Sequence, residues 1–317
     1  MNNIIRFYNQ NRKSIWIILL IIFFLFLILQ LINNIVGKKL ENESIESEKY
    51  KEISISNSTS NTNTKSNKSV VTGDNISSDN LKIAKDTINE FMEYCSQNDI
   101  EKGYDMLTEE CRQEMFNSID LFNEIYLSKI PKGKNINCTI DNWINNTYKV
   151  KVIGDILSIG KTEEGITDYI TIRKVDGSYK LNINSYIGRT AVNKSKTKDN
   201  VEIEVLNKDT YMDYDKYRIK IYNKSDSDIF LDTREDMQSM YIQDKSDTKY
   251  YSYTHELTDA DLTVDKGTSR MISVKYYSSY SSNKKINKVV FSKIIMDYDS
   301  GTKIKSSKNI EEIGINI

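Results

Sequence analysis

The sequence has few of the residues that most catalytic and metal sites need. It contains one histidine, His255, and three cysteines, Cys95, Cys111 and Cys138, in 317 residues. A single histidine excludes histidine-rich metal centres and mechanisms that need two imidazoles. Three cysteines exclude a disulfide-dense scaffold, and their spacing excludes a Cys-x-x-Cys zinc module. We therefore expect no cofactor and no metal ion.

The sequence also lacks an excess of charge of one sign. It has 44 Lys and Arg residues against 45 Asp and Glu residues, which gives a net charge of −1. A dedicated nucleic-acid-binding domain would show a basic excess, so we expect no nucleic-acid partner. The length is enough for about two soluble domains.

One long hydrophobic run lies near the N-terminus. Residues 15–32 contain a single polar side chain, Gln30, and extension to Val36 gives about 33 Å of helix, which spans a hydrocarbon core of about 30 Å. No cleavage site follows, so the run predicts an uncleaved signal anchor. A cytoplasmic head at residues 1–14 and a long polar tail predict a single-pass cell-membrane protein with its N-terminus inside and its C-terminal domains extracellular.

Composition divides the rest of the chain into four segments. Residues 37–79 are rich in Ser, Thr, Asn and Lys without apolar periodicity, which predicts a disordered tether. A second polar stretch predicts a linker at 191–200. The flanking segments, 80–190 and 201–317, carry the periodic patterns expected of two folded domains.

The first of these domains begins with helical periodicity and ends with strand periodicity. Thr108 is a predicted N-cap for a third helix that extends to Tyr126, and Asp176-Gly177 predicts a hairpin turn among about four strands. The first helix is predicted from a stripe of apolar residues three and four apart: Leu81, Ala84, Ile88, Phe91 and Cys95.

Residues 88–116 carry a family resemblance. The segment resembles the helical opening of the nuclear-transport-factor-2-like superfamily, in Phe91 and Tyr94, the break at Asn98-Asp99, and Tyr104 followed by Leu107-Thr108. The resemblance implies an α+β cone, in which a curved antiparallel sheet wraps three helices. This fold hosts enzymes, binding pockets and scaffolds, so it does not specify a function.

The second domain is nearly all strand by pattern. Short alternating strands such as 201–205 and 217–221 are separated by polar turns. Two motifs resemble the immunoglobulin-like extracellular β-sandwich domains of Gram-positive membrane proteins: Asn223-Lys224-Ser225 after a strand, and the later spacing of Leu262, Val264, Gly267, Ile272 and Val274. The Cys-Trp-Cys core of true immunoglobulin domains is absent. The predicted fold class is therefore an α+β cone followed by an all-β immunoglobulin-like sandwich, with one transmembrane helix.

Candidate site residues follow from the predicted cone and from the single histidine. The residues that could line a pocket inside the cone are Trp143, Tyr148, Asp168, Tyr169 and Tyr179, although core packing explains most of them without a ligand. His255-Glu256 suggests a base beside a carboxylate, but a surface histidine is the better interpretation. Cys95 and Cys111 are either bridged or, as we favour, buried free thiols.

These observations predict a protein that binds and does not catalyse. We expect a membrane-anchored extracytoplasmic interaction or scaffold protein, an accessory subunit of a cell-envelope, conjugation or secretion assembly. Its expected partners are the membrane and other envelope proteins. The alternative is a sensor that binds a small ligand or a cell-wall glycan in the cone pocket.

Overall fold

Strands dominate the fold. The computed structural model describes residues 62–63, 68–73, 75–133, 136–153, 166–235, 238–281, 284–299 and 309–317. It is mostly β, with 49% in strands. The alternation of Ile, Val, Tyr and Thr with polar residues favours this structure, because β-branched and aromatic side chains pack well on a pleated surface.

The described helices are short, apart from the first. They are α1 Ser78–Ser96, α2 Ile100–Asp105, α3 Glu109–Met115, α4 Ile119–Ile125 and, later in the chain, α5 Asp259–Leu262; a 3-10 turn follows α4 at Leu127–Lys129. The apolar stripe predicted for α1 is confirmed, because all five of its residues are buried. The predicted N-cap is also confirmed, since the Thr108 hydroxyl accepts from the Cys111 amide at 3.0 Å.

The predicted third helix is two helices. It breaks between Phe116, where the backbone leaves the helical conformation, and Ser118, whose hydroxyl caps α4 by accepting from the Leu121 amide at 3.2 Å. Apolar spacing does not reveal this break, because Met115 and Phe122 are seven residues apart, which is the spacing of one face of a continuous helix, and both pack in the same apolar core.

A five-stranded sheet follows the helices. Its strands are β1 Thr62–Asn63, β2 Asn137–Ile144, β3 Thr147–Ile153, β4 Ile166–Val175 and β5 Ser178–Asn182. They lie in that order, with β1 parallel to β2 and the other pairs antiparallel. The hairpin turn predicted at Asp176-Gly177 is confirmed, since both residues have positive φ and Val175 pairs with Ser178. The inner side of this sheet and the first four helices share one apolar core.

Two further sheets pack around a second core. The strands are β6 Tyr186–Lys198, β7 Val201–Tyr211, β8 Asp215–Asn223, β9 Asp228–Phe230, β10 Met240–Asp244, β11 Lys249–Tyr251, β12 Thr263–Val264, β13 Ser269–Tyr276, β14 Ile286–Tyr298 and β15 Ile310–Asn316. One sheet has the order β13-β8-β7-β6, and the other has the order β11-β10-β14-β9-β12 with β15 also paired to β14. Buried residues of both sheets form the second core.

The structure places most of the predicted linker, 191–200, in a long strand. β6 runs through it to Lys198 and pairs with β7, and Asp199-Asn200 forms the two-residue turn between them. Both turn residues have positive φ, which is the conformation of a type I′ hairpin turn. One continuous strand therefore leads from the first core to the second, and Ser60–Ile317 is a single compact unit.

The predicted fold class is wrong. The chain is mostly β, with five described helices and a curled half-barrel sheet, and it does not show an α+β cone of three helices followed by an immunoglobulin-like sandwich. The reason lies in the strand content, because long strands such as β6 and β7 continue from one core to the next instead of ending at a domain boundary.

The predicted cell-membrane location is corrected as well. Among the described residues, no helix is long and apolar enough to cross a membrane. The predicted head, transmembrane helix and most of the tether, residues 1–61, lie outside the described residues.

Candidate functional site

The predicted pocket residues do not meet in one pocket. Tyr148 on β3 and Asp168 on β4 are buried, Trp143 and Tyr169 are half-buried, and Tyr179 on β5 is 37% exposed. Neighbouring residues of a strand point to opposite faces of its sheet, so the adjacent Asp168 and Tyr169 cannot line the same cavity.

Asp168 is held entirely by its own protein. Its carboxylate accepts from the Tyr126 hydroxyl at 2.8 Å and from the amides of Tyr169, Asn184 and Ser185 at 2.6, 2.8 and 2.9 Å. Asn184 and Ser185 both have positive φ, so the carboxylate stabilises a strained turn just before β6. Burial raises the pKa of Asp168 above its ordinary value. We infer a structural role for this residue.

Trp143 and Tyr169 form an aromatic pair. Their ring centroids are 5.1 Å apart in an edge-to-face arrangement, and Lys149 Nζ lies 5.6 Å from the Trp143 ring centroid. The lysine thus covers part of the indole surface. The contacts of these three side chains are therefore with one another.

The histidine has no catalytic geometry. His255 is exposed in a short 3-10 helix, and its ring contacts the Tyr253 ring at 4.9 Å between centroids. Glu256 pairs with Lys275 at 3.0 Å. The interpretation as a surface histidine is confirmed.

The three cysteines are free and buried, which confirms the favoured reading over a Cys95–Cys111 bridge. Burial raises the pKa of each thiol to about 12. Such thiols stay protonated near neutral pH and are poor nucleophiles and poor metal ligands. Within the described ranges, no three His, Cys, Asp or Glu residues lie close enough together to hold a metal ion.

A cluster of two buried carboxylates and two half-buried cations, which we call the polar junction, joins α3 to three strands. It consists of Glu114, Arg189, Asp209 and Lys216. Arg189 donates to Asp209 through two nitrogens, at 2.8 and 3.1 Å, and to Glu114 at 3.1 Å, and Lys216 completes the cluster by an ion pair with Glu114. The two negative charges and the two positive charges cancel, so the cluster carries no net charge.

Two tyrosines complete the polar junction. The Tyr211 hydroxyl donates to Glu114 at 2.6 Å, and the Tyr186 hydroxyl donates to Asp209 at 2.8 Å. Burial raises the pKa of both hydroxyls, which therefore remain protonated donors. Every charge here has a partner, and we infer that the junction stabilises the fold.

A depression of about 350 Å³ lies on the helical side of the molecule, beside Tyr104, Glu109 and Arg112. The Arg112 guanidinium stacks 5.4 Å from the Tyr104 ring centroid and pairs with Glu109 at 3.1 Å. Its charge is therefore already compensated within the protein, and the depression is an unremarkable part of the surface.

A different surface is rich in exposed tyrosines. Tyr251, Tyr253 and Tyr277 are 37%, 41% and 43% exposed, and we call them the tyrosine surface. They come from two segments that are joined by backbone hydrogen bonds: the Tyr253 amide donates to the Lys275 carbonyl at 3.3 Å, and the Tyr277 amide donates to the Tyr251 carbonyl at 3.4 Å. The rings of Tyr253 and Tyr277 are in contact. The surface thus lies where the edge strands β11 and β13 of two sheets meet.

The segment that follows Tyr277 is held in place by Lys284. Lys284 Nζ donates to the carbonyls of Ser278 and Ser279 at 2.8 and 3.1 Å and pairs with the buried Asp215 at 3.1 Å. Burial lowers the pKa of Lys284. The next tyrosine, Tyr280, accepts from the Asn145 side-chain amide at 2.8 Å, and its own amide donates to the Met212 carbonyl.

The segment that follows Tyr253 is anchored by Arg234. Its guanidinium donates to the carbonyls of Thr254 and Leu257 at 2.8 and 2.6 Å and pairs with Asp259 at 3.0 Å. Both tyrosine-bearing segments are therefore fixed before any partner binds, which lowers the entropy cost of binding.

Sequence reasoning missed this surface, although a signal was present. The runs YYSYT at 250–254 and YYSSYSS at 276–282 repeat tyrosine with serine. What the sequence alone does not show is that the two runs are adjacent, because that depends on the pairing of Ser252 with Tyr276.

Comparison of the chain with protein-family models, curated proteins and solved structures finds no match. The two family resemblances gain no support from these comparisons.

Proposed function

We propose that this protein acts by binding another protein through the tyrosine surface, and that it is not an enzyme. The observation that carries the proposal is that three exposed tyrosines from two cross-linked segments lie side by side. Single exposed aromatic residues are ordinary on a protein surface, but a contiguous group of them is typical of interaction sites.

The chemistry of tyrosine supports this role. A tyrosine ring supplies a large contact area with few rotatable bonds, and its hydroxyl can form a hydrogen bond at the rim of an interface. Tyrosine and serine are the residues that dominate antibody binding loops for these reasons. The anchoring by Lys284 and Arg234 supplies the rigidity that such a surface needs.

Catalysis is the weaker alternative. Ser278 has a lysine and a carboxylate nearby, because Lys284 donates to its hydroxyl and that hydroxyl lies 3.3 Å from Asp215. This combination could activate a serine if a substrate reached it. Ser278 is only 2% exposed, however, and Lys284 also donates to backbone carbonyls. We therefore interpret the cluster as the anchor of the segment.

The sensor alternative has no observation in its favour. It requires the predicted pocket residues to converge, and the adjacent Asp168 and Tyr169 lie on opposite faces of their sheet.

The proposal is tested by affinity capture from a lysate of the source organism. The immobilised full chain is compared with the Tyr253→Ala and Tyr277→Ala variants and with a matched control, Tyr179→Ala, which removes an equally exposed tyrosine from another surface. We expect a protein that wild type and Tyr179→Ala retain equally, and that each surface variant retains at least about tenfold less.

Two results would contradict the proposal. One is that wild type retains no protein in excess of an unrelated bait. The other is that the retained protein is lost equally from Tyr179→Ala, or from none of the three variants. Circular dichroism of each variant checks that the fold is intact.

A further inference from the structure

Two rings of the tyrosine surface are close enough to react with each other. The rings of Tyr253 and Tyr277 are in contact, and no other pair of tyrosine rings in the described part of the chain is as close. Both residues are also open to solvent, with exposed fractions of 41% and 43%. An oxidant in solution can therefore reach either ring, and the product formed on one ring lies beside the other.

Contact and exposure occur together at this pair alone among the described tyrosines. Each of the other touching pairs contains a buried ring, which belongs to Tyr211, Tyr217, Tyr241 or Tyr276. Tyr179 is 37% exposed, but its ring contact in the described structure is with Lys174 and not with a second tyrosine. A reaction that needs two accessible phenols side by side is therefore favoured at Tyr253 and Tyr277.

The backbone holds the two rings together. Ser252 and Tyr276 form an isolated β-bridge, and the residues that follow them are Tyr253 and Tyr277. The Tyr253 amide donates to the Lys275 carbonyl, and the Tyr277 amide donates to the Tyr251 carbonyl. Groups fixed side by side react as if each were present at a very high concentration. A radical on one ring therefore meets the other ring before it meets another molecule.

We propose that Tyr253 and Tyr277 form a site of oxidative cross-linking, at which a haem peroxidase supplied with hydrogen peroxide joins the two rings by a carbon–carbon bond. Each phenol gives one electron to the oxidised haem and loses its hydroxyl proton, which leaves a phenoxyl radical. The two radicals couple at ring carbons next to the oxygens. The hydrogens on those carbons then leave as protons while the oxygens are protonated again, so both phenols are restored.

The atoms and electrons of this reaction balance. The two rings together lose two hydrogen atoms, as two electrons and two protons. One molecule of hydrogen peroxide takes up both and is reduced to two molecules of water. The new bond would fix the relative position of the two segments that carry the tyrosine surface, in the way that a disulfide fixes two cysteines.

The thiols of this chain do not compete for the radicals. A thiol can return a phenoxyl radical to a phenol, but Cys95, Cys111 and Cys138 are all buried in the first core, away from solvent. Met271 is 51% exposed and can be oxidised by peroxide to its sulfoxide. That reaction adds an oxygen atom, so the mass of the product distinguishes it from the cross-link.

The test treats the full chain with a haem peroxidase and hydrogen peroxide. Dityrosine fluorescence measures the yield, and peptide mass spectrometry identifies the joined residues. Tyr253→Phe and Tyr277→Phe keep each ring and remove its phenol, and Tyr179→Phe is the matched control at an isolated exposed tyrosine. We expect wild type and Tyr179→Phe to form a 253–277 cross-linked peptide that has lost two hydrogen atoms, and each surface variant to form at least about tenfold less dityrosine within the chain.

Three results would overturn the proposal. One is the absence of a 253–277 cross-linked peptide from oxidised wild type. Another is a dityrosine yield from Tyr253→Phe equal to that of wild type. The third is a product that forms only between chains, which appears as a covalent dimer whose yield per chain rises with the protein concentration. Peptide mapping of wild type keeps the test valid if a variant does not fold, because it identifies the joined residues directly.

This inference does not rest on the proposed function. The cross-link is measured on the chain alone, whereas the proposed function is measured by capture of a partner. If wild type captures a partner and forms no cross-link, the proposed function stands and the cross-linking site is wrong. If the cross-link forms and no partner is captured, the cross-linking site stands and the proposed function is wrong.

Discussion

The polar junction and the tyrosine surface use the same residue type for opposite purposes. At the junction, the hydroxyls of Tyr186 and Tyr211 are buried and donate to carboxylates. At the surface, Tyr253 and Tyr277 expose two fifths of their area. The comparison teaches that the role of a tyrosine is read from its burial and its partners. We expect the first pair to determine stability and the second to determine binding.

The largest effect should come from removing a charge at the junction. Glu114→Gln removes a buried anion from Arg189, Lys216 and the Tyr211 hydroxyl. Arg189 keeps its pair with Asp209, whereas the half-buried Lys216 loses its ion-pair partner. We expect the free energy of unfolding to fall by about 3 kcal/mol or more. Urea denaturation measures this change.

The matched control is Glu109→Gln on the same helix. Glu109 is exposed and pairs with Arg112. Its loss should cost less than about 0.5 kcal/mol. Equal effects of the two substitutions would show that the junction does not stabilise the fold as we infer.

A smaller loss of stability is expected at Asp168, which holds the turn before β6. Asp168→Asn removes a carboxylate that accepts four hydrogen bonds and places an amide donor against backbone donors. We expect a loss of about 2 kcal/mol, measured by urea denaturation at pH 7. If Asp168→Asn lowers the free energy of unfolding by less than Glu109→Gln does, the carboxylate does not hold this turn.

The same pair of proteins gives a pH test. Because burial raises the pKa of Asp168, the folded chain binds a proton here at a higher pH than the unfolded chain. The contribution of this group to stability is therefore present below its ordinary pKa, about 4, and is lost as the pH rises through the folded pKa. The difference in unfolding free energy between wild type and Asp168→Asn should widen as the pH falls towards 4. If this difference instead becomes smaller as the pH falls, burial does not raise the pKa of Asp168.

Tyrosine substitutions at the surface should hardly change stability. Tyr253→Ala removes a half-exposed ring, and we expect the free energy of unfolding to change by less than about 1 kcal/mol while partner capture falls at least about tenfold. Thermal melting and capture are measured on the same preparation. A loss of stability as large as that of Glu114→Gln would remove the distinction between the two regions.

The smallest change in stability is expected at Tyr280, in the segment that follows Tyr277. Tyr280→Phe keeps the ring and removes the acceptor of the Asn145 amide. An exposed hydrogen bond of this kind contributes about 0.5 kcal/mol or less, so the melting temperature should barely move. Amide exchange at 277–281 should nevertheless become faster than in wild type. Unchanged exchange would indicate that the remaining contacts, including those of Lys284, are sufficient.

Local structure was predictable from the sequence where residues close together in the chain determine it. The apolar stripe from Leu81 to Cys95, the cap at Thr108 and the turn at Asp176-Gly177 all depend on near neighbours in the chain. The break at Ser118 was missed, although a serine followed by Asp120 is a usual helix start.

The fold class failed for a longer-range reason. The C-terminal half of β6 is almost entirely polar, NKSKTK, because its side chains are exposed and the strand is held by backbone pairing with β7. Hydrophobic periodicity therefore cannot detect it, and the polar composition of the stretch predicts a linker instead. The Asp199-Asn200 turn was the available signal, since both residues readily adopt positive φ.

The candidate site was harder to predict than the fold. The sequence shows that YYSYT and YYSSYSS contain tyrosine, but the exposure of Tyr253 and Tyr277 depends on which strands lie at the sheet edges. Asp168 is a candidate pocket residue only through the family resemblance, which implies a cone with acidic and tyrosine side chains inside it. Its carboxylate accepts hydrogen bonds from the amides of Asn184 and Ser185, which lie 16 and 17 residues later in the chain. The spacing of residues in the sequence does not show that this turn lies next to Asp168.

The most direct test of the central claim is footprinting of individual tyrosines. The full chain is nitrated with tetranitromethane, with and without the partner captured from the source lysate, and each site is quantified by peptide mass spectrometry. The account predicts that the partner protects Tyr251, Tyr253 and Tyr277 by at least about threefold and leaves the equally exposed Tyr179 unchanged. Protection of Tyr179 with no protection of the three surface tyrosines would contradict it.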